Sequence, residues 1–387
     1  MAIDFNSLSN ILPVVSGAGF PVLLRGRHGI GKSESVYQFA RAVGMPVVER
    51  RASQMTEGDL LGLPDQNGVE VNGRRATSYN PPAWFIECCE FPRVLFVDEI
   101  DRAVTEVRQG FFELTDSRKL AGHTLHPETI IIAAVNGGDG SGDYSVADMD
   151  PAEADRYTVF DVQPSVEDWL FWANGENREA EVSASYSDIK ESIAALRLNT
   201  ERKPVDSMIV DFIRSNPGHL EHGDTFEPGK VYPSRRSWKR FSDTAVAADL
   251  FENVAESRAL ISSLAAGFVG LEASIAFVDF AANYERQVTV EDIIDHGRID
   301  RTADFDIVEH TAMVSKIKDS GALAPVLTET QLQNVANYLT TLPSEVAMVL
   351  FSAIPVAGEN GSINIAALYA LTAVNGKTVR DFITEMI

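Results

Sequence analysis

Apolar and polar positions fall in alternating blocks along the first 163 residues. Short apolar runs stand at Pro21–Leu24 (PVLL), Pro46–Val48, Val94–Val97 (VLFV), Thr129–Val135 (TIIIAAV) and Thr158–Val162 (TVFDV). Runs this short and this apolar predict parallel strands covered on both faces. Between the first two lies a helical stretch, Lys32–Val43, that stops at Gly44, a residue suited to the position just past a helix. Strands alternating with helices predict a doubly wound α/β layer with a parallel sheet.

After Pro164 the period becomes helical. Ser165, Val166, Glu167 and Asp168 read as a capping box opening a helix that contains Trp169, Leu170 and Trp172. Further helices are predicted over Asp206–Arg214, Ser237–Ala248 and Ser257–Asn283, the last with Leu260, Leu264, Phe268, Leu271, Ile275, Phe277 and Val278 near 3.6 spacing. Thr289–Asp292 is another capping box. Residues 174–188 and 215–233 are polar and read as loops. Gln331–Leu339, Ser344–Phe351 and Ile363–Val374 predict more helix, and no internal repeat is visible. Three parts are expected: an α/β core over 1–163, an all-α domain over 164–298 and a C-terminal helical extension over 299–387.

Composition narrows the function classes. The chain has 387 residues, with 33 Lys+Arg against 56 Asp+Glu and a formal net charge of −23. A chain of this length has room for two or three domains with a real core. A content of 45% hydrophobic and 23% charged residues fits a globular chain rather than a disordered or fibrous one. The acid surplus argues against non-specific attraction to nucleic-acid phosphates or anionic membranes. The only cysteines, Cys88 and Cys89, are adjacent, which fits two reduced thiols in a reducing compartment. The N-terminus lacks a secretory pattern. The most apolar stretch, Ala347–Ala357, contains Pro355 and is far shorter than a membrane span. A cytoplasmic location without membrane insertion is expected. The seven histidines are scattered, with no metal-ligand spacing.

One segment carries specific chemistry. Gly26-Arg27-His28-Gly29-Ile30-Gly31-Lys32-Ser33 fits G-x-x-x-x-G-K-[ST], after a predicted strand and at the start of a predicted helix. Glycines let backbone N–H groups curl around a β-phosphate, and the helix N-terminus favours the anion. Lys32 is expected on the β- and γ-phosphates and the Ser33 hydroxyl on Mg²⁺. Gly26, His28, Gly29, Ile30, Gly31, Lys32, Ser33 and Glu34 are the expected nucleotide-binding positions.

The strand Val94–Val97 ends in Asp98-Glu99, which puts two carboxylates at the carboxyl edge of a sheet, where ligands bind in open α/β folds. Asp98 is expected to hold Mg²⁺ and Glu99 to act as general base on the attacking water. Thr129–Val135 ends in Asn136-Gly137-Gly138. Asn136 either places its amide on the γ-phosphate or its water, or merely begins a turn. Arg156 precedes the last strand and is either an arginine finger, acting across a subunit boundary, or a surface arginine. Arg235 and Arg236 lie at a helix start. They either reach a nucleotide held between two domains or anchor Asp243 or Asp249.

Together these residues resemble the AAA+ ATPases and, within them, the MoxR-like, dynein-related group. The phosphate loop, Leu95-Phe96-Val97-Asp98-Glu99-Ile100, Asn136 and the run Asp150-Pro151-Ala152 to Asp155-Arg156-Tyr157 occur in that group's order. So do Gly58–Pro64, Pro81-Pro82-Ala83-Trp84, Ser234–Trp238 and Gly267–Ala273, and the likeness spans about residues 10–298. The resemblance implies that 164–298 is a helical lid, that Asp98 and Glu99 are the Walker B pair, and that Asn136 is sensor 1. It implies further that Arg156 is the finger and Arg236 sensor 2, with Arg235 a competitor because it replaces the group's usual proline. Tyr157 stands where the group usually has phenylalanine.

Two insertions read as hairpins: Val69–Tyr79 around Asn72-Gly73, and Arg118–Thr129 around Ala121-Gly122. By resemblance they face the pore of a ring; otherwise they are plain surface hairpins. The implied protein is a ring-forming, hexameric ATPase that hydrolyses Mg²⁺-ATP and remodels a protein complex, with a von Willebrand A-type partner. Hydrolysis would turn the lid against the core and move the hairpins. Two rivals stand beside it. One is a nucleic-acid motor, kept alive by Arg74 and Arg75 and lowered by the net charge. The other is a scaffold gated by nucleotide.

Overall fold

Parallel strands covered by helices on both faces form the first part of the computed structural model. It describes all residues except 1, 138–148, 150, 199–203, 224–226, 228, 283, 285–287, 304, 355–358, 374–375 and 387. Gly138 and Asp150 therefore lie outside the described residues. In chain order the elements are β1 (Ala2–Ile3), α1 (Phe5–Gly17), β2 (Val22–Gly26), α2 (Lys32–Val43), β3 (Val47–Arg51), α3 (Glu57–Leu61), β4 (Leu63–Pro64), β5 (Val69–Val71) and β6 (Arg74–Ala76). There follow β7 (Tyr79–Asn80), α4 (Ala83–Glu90), β8 (Val94–Asp98), α5 (Thr105–Ser117), β9 (Lys119–Leu120), β10 (His123–Thr124), β11 (Ile130–Asn136), α6 (Pro151–Ala154) and β12 (Thr158–Val162).

The sheet order is β1-β12-β2-β11-β8-β3, with parallel pairing throughout. All five strands expected from the sequence are present. The two-residue edge strand β1 and helix α1 carry no strong pattern of their own and were not foreseen. Side chains alternate across the sheet. Val22 and Leu24 join Phe96, Ile132 and Phe160 in one core, while Leu23 joins Leu95, Val97, Ile131 and Ala133 in the other. Every residue of β11 is buried.

The helical continuation is α7 (Val166–Ala173), α8 (Tyr186–Leu198), α9 (Ser207–Ser215), α10 (Arg235–Ala247), α11 (Val254–Val269) and α12 (Leu271–Ala282). The capping box at Ser165 and Asp168 is formed. Phe212, Trp238, Phe241 and Phe277 extend the core that holds Val22 and Leu24. The single helix expected over Ser257–Asn283 is two. Gly270 breaks it with φ +84°, and a side chain there would meet the Val231 carbonyl at 2.2 Å. Asn283 lies outside the described residues. Residues 186–188, expected in a loop, open α8.

By contacts the chain divides into Met1–Tyr284 and Glu285–Ile387, ahead of the expected boundary at 298. The second unit holds α13 (Val290–Ile294), α14 (Ile307–Ser320), α15 (Glu329–Thr341), α16 (Ser344–Ser352), α17 (Glu359–Ala370) and α18 (Val379–Met386). Val288, Ile293 and Ile294 sit in its own core with Val314, Tyr338 and Leu350, which is why the division falls early. Val374, the expected end of a helix, lies outside the described residues. No helix among the described residues is long and apolar enough to cross a membrane.

Candidate functional site

The segment between β2 and α2 folds as a loop because Gly29 and Gly31 take φ of +73° and +104°. At Gly31 that value falls where L-residues are strained, so the turn into α2 requires glycine. Lys32 and Ser33 then occupy the first helical turn, where backbone N–H groups lack intrahelical partners and the helix dipole is positive.

Sheet order brings the partners. β11 lies between β2 and β8, so Asn136 ends beside Gly26, its register partner, while Asp98 ends the next strand over. Lys32 is 7% exposed, and its ammonium donates to the carbonyls of Gly26 and Arg27 at 2.8 and 2.9 Å. It also donates to Oδ1 of Asn136 at 3.1 Å. Ser33 Oγ donates to Oδ2 of Asp98 at 3.4 Å. His28, Gly29, Gly31, Glu34, Glu99 and Arg102 complete an open cleft of about 670 Å³ around these groups. Glu34 accepts from Arg41 at 3.0 Å.

Electrostatically the cleft is under-neutralised. Burial raises the Asp98 carboxyl above its usual range, and Glu99 and Glu49 push it the same way; the Glu99 amide and Lys32 oppose. Burial likewise lowers the Lys32 ammonium, against Asp98 and Asp101. Glu99 sits at φ +55°, ψ +38°, a left-handed conformation costly for a non-glycine residue. Its carboxylate accepts from the Ser53 hydroxyl.

Four features went unforeseen. Ser53, Asp101 and Arg102 belong to the site's surroundings. Asp101 is buried and accepts from the backbone N–H of Asn136 at 3.0 Å. The fourth is a cavity of about 650 Å³ that adjoins the loop at Gly29, Ile30 and Gly31. Phe5, Leu8, Phe39, Trp169 and Trp172 help line it. Trp169 and Trp172 are each 61% exposed. Two such tryptophans three apart on one helix were a sequence signal for a binding surface.

The arginines lie elsewhere, and none of the three lines the cleft. Arg156 packs over the Phe112 ring at 5.8 Å and donates to the Ala152 carbonyl. Its Nε is buried with no hydrogen-bond partner among the described residues, unlike an ordinary surface arginine. Arg236 lies 3.2 Å from Asp116 and 3.8 Å from Asp155. Arg235 points to Glu221 at 3.2 Å. The anchoring of Asp243 by these arginines does not occur, since Lys239, one turn away on the same helix, takes it.

Residues 21–157 match the AAA domain, dynein-related subfamily. None of the curated proteins compared with the chain matches it. Among solved structures, a candidate ATPase of Cytophaga hutchinsonii is 13% identical with a TM-score of 0.48, covering 74% of this chain and 92% of its own. A full-length MCM homologue of Methanopyrus kandleri is 12% identical with a TM-score of 0.35, covering 71% of this chain and 53% of its own. Both likenesses are remote. The phosphate loop, the acidic strand end and the strand-terminal asparagine all fall within the matched segment, so the part of the chain that is similar to the AAA domain, dynein-related subfamily, is the part that carries the cleft.

Proposed function

We propose that the chain is a Mg²⁺-ATP-hydrolysing ring ATPase of MoxR-like type, hexameric and cytoplasmic, that remodels or assembles a protein complex. The observation that carries this reading is the separation of two half-sites. Lys32, Ser33, Asp98, Glu99 and Asn136 share one cleft, whereas Arg236 lies beside Asp116 and Asp155 and Arg156 packs over Phe112, both outside it. A cleft that Arg156 and Arg236 do not line, and two arginines held outside it, would complement each other between copies of the chain.

Ser33 and Asp98 are hard oxygen donors beside the loop, and the unrelieved carboxylate of Asp98 suits a divalent cation. They would hold Mg²⁺, which when bound neutralises charge on the β- and γ-phosphates. Lys32 exchanges the carbonyls of Gly26 and Arg27 for phosphate oxygens. The first-turn N–H groups of α2 receive the β-phosphate. The aromatic cavity next to Gly31 receives the adenine base. Glu99, steadied by Ser53, takes the proton from the attacking water, and Asn136 orients that water. Arg156 and Arg236 of a neighbouring copy stabilise the charge on the transferred group. Arg236 suits this role better than Arg235 because it lies beside the finger segment. The exposed hairpins β5–β6 and β9–β10 contact the client, a protein complex with a von Willebrand A-type member.

The test is Glu99→Gln. It keeps ATP binding and lowers turnover about 100-fold or more. In ATP it holds the client, which a pull-down then identifies. Unchanged turnover overturns the role of Glu99. Assembly driven by ATP in a wild-type protein that never turns over would make the chain a nucleotide-gated scaffold instead.

A further inference from the structure

Arg240 lies on α10, one turn beyond Arg236. Its guanidinium faces the main chain of the segment that carries Arg156. Nη1 donates to the carbonyl of Asp155 at 2.9 Å and to that of Arg156 at 3.1 Å. Nη2 lies 3.6 Å from Asp116 Oδ1, the oxygen that also faces Arg236. The side chain is only 13% exposed and stacks over Phe20 at 5.5 Å. Ser234, the N-cap of the same helix, donates to the Asp155 carboxylate at 2.6 Å. The Asp155–Arg156 backbone, just past the end of α6, is thus tied to the helix that bears Arg235 and Arg236.

From this arrangement we infer that Arg240 is a positioning residue for Arg156: it fixes the finger backbone to α10, so that movement of the helix moves the finger. The inference rests on the reading that Arg156 acts on the nucleotide of a neighbouring copy. A planar guanidinium offers two donors in a fixed fork, which a lysine does not reproduce. The site is also a costly place for a cation. Burial and the neighbouring Arg236 and Arg156 all disfavour its charge, while Asp155 and Asp116 favour it. A merely space-filling role would be met at less cost by an apolar side chain. Arg240 touches no substrate in this arrangement; it acts through Arg156.

Subunit mixing tests the inference. Arg240→Ala is expected to lower kcat about 10- to 100-fold, the scale of a small misplacement of a catalytic group, with ATP affinity changed less than about twofold. Arg240→Lys, which keeps the charge but puts its donors on a single nitrogen without the planar fork, is expected to recover part of the rate and covers the case in which the alanine variant misfolds. Mixed with Lys32→Ala protomers, which supply intact fingers but cannot use ATP, either Arg240 variant should regain turnover. Arg156→Ala should be rescued by the same mixing. If Arg156→Ala is not rescued, the cross-copy reading of Arg156 fails and the role of Arg240 falls with it. If Arg156→Ala is rescued but the Arg240 variants are not, or if both Arg240 variants turn over normally alone, Arg240 only packs the fold.

Discussion

Lys32 and Asn136, 104 residues apart in sequence, are joined by a hydrogen bond of 3.1 Å between the ammonium and Oδ1. The ammonium fills its own loop, using two carbonyls and this side-chain amide oxygen as acceptors. Replacing it removes a desolvated cation that burial already disfavours. Lys32→Ala should therefore leave the thermal stability of the nucleotide-free protein nearly unchanged while weakening ATP binding about 10- to 100-fold, the scale of a charged hydrogen bond. Calorimetric titration with ATP measures the second effect; undiminished affinity would remove Lys32 from the site.

Asp98 gives a pH-dependent prediction. Its folded pKa lies above the ordinary 3.8, so the ionised form costs stability at neutral pH. That cost fades as pH falls through the raised value and is gone below 3.8. Asp98→Asn should then raise the Tm of the nucleotide-free protein at pH 7, by about 2–4 °C per kcal/mol relieved. The gain over wild type should shrink on acidification. Mg²⁺-ATP should stabilise the wild type but not the variant, because the carboxylate that would hold the ion is gone. A variant less stable than wild type at pH 7 would contradict the charge argument.

The aromatic cavity predicts an optical signal. Trp169 and Trp172 border it, whereas Trp84 and Trp238 lie in the two cores. Adenine nucleotide should quench tryptophan fluorescence, and Trp169→Ala should reduce both the quenching and the affinity, the latter about 2- to 10-fold. Quenching that survives loss of both Trp169 and Trp172 would place the base elsewhere.

The nucleic-acid rival turns on the β5–β6 hairpin. Its register pairs Val71 with Arg74 and Glu70 with Arg75. Arg74 therefore shares a face with the exposed Val69 and Val71, while Arg75 faces the other way opposite an acid. One arginine per face, one of them opposite an acid, makes no basic stripe for a phosphate backbone. Single-stranded DNA should change the ATPase rate by less than about twofold. A large stimulation that is lost in Arg74→Glu would favour the nucleic-acid motor.

Much of the site was legible because it is local. The glycine spacing before Lys32-Ser33 and the apolar run ending at Asp98-Glu99 are each one strand and one turn long, so their chemistry is written in consecutive residues. Ser53, Asp101 and the Phe5–Trp169 cavity were not legible, because each depends on elements brought together from distant parts of the chain. The helix break at Gly270 was hidden for a related reason. The apolar period runs on through it, and only the Val231 carbonyl at 2.2 Å from a hypothetical Cβ shows why the chain must turn there.

The sequence by itself determined the parallel sheet, the phosphate loop, the acidic strand end and the helical character after Pro164, since short apolar runs and glycine spacing act within a few residues. Tertiary structure alone decided which charges meet. The order β2-β11-β8 sets Asn136 between Lys32 and Asp98, and the packing of α10 against the Asp155–Arg156 segment gathers the arginines away from the cleft. Hydrogen bonds of about 3 Å fix such pairings, and no local periodicity encodes which distant strand or helix will supply the partner.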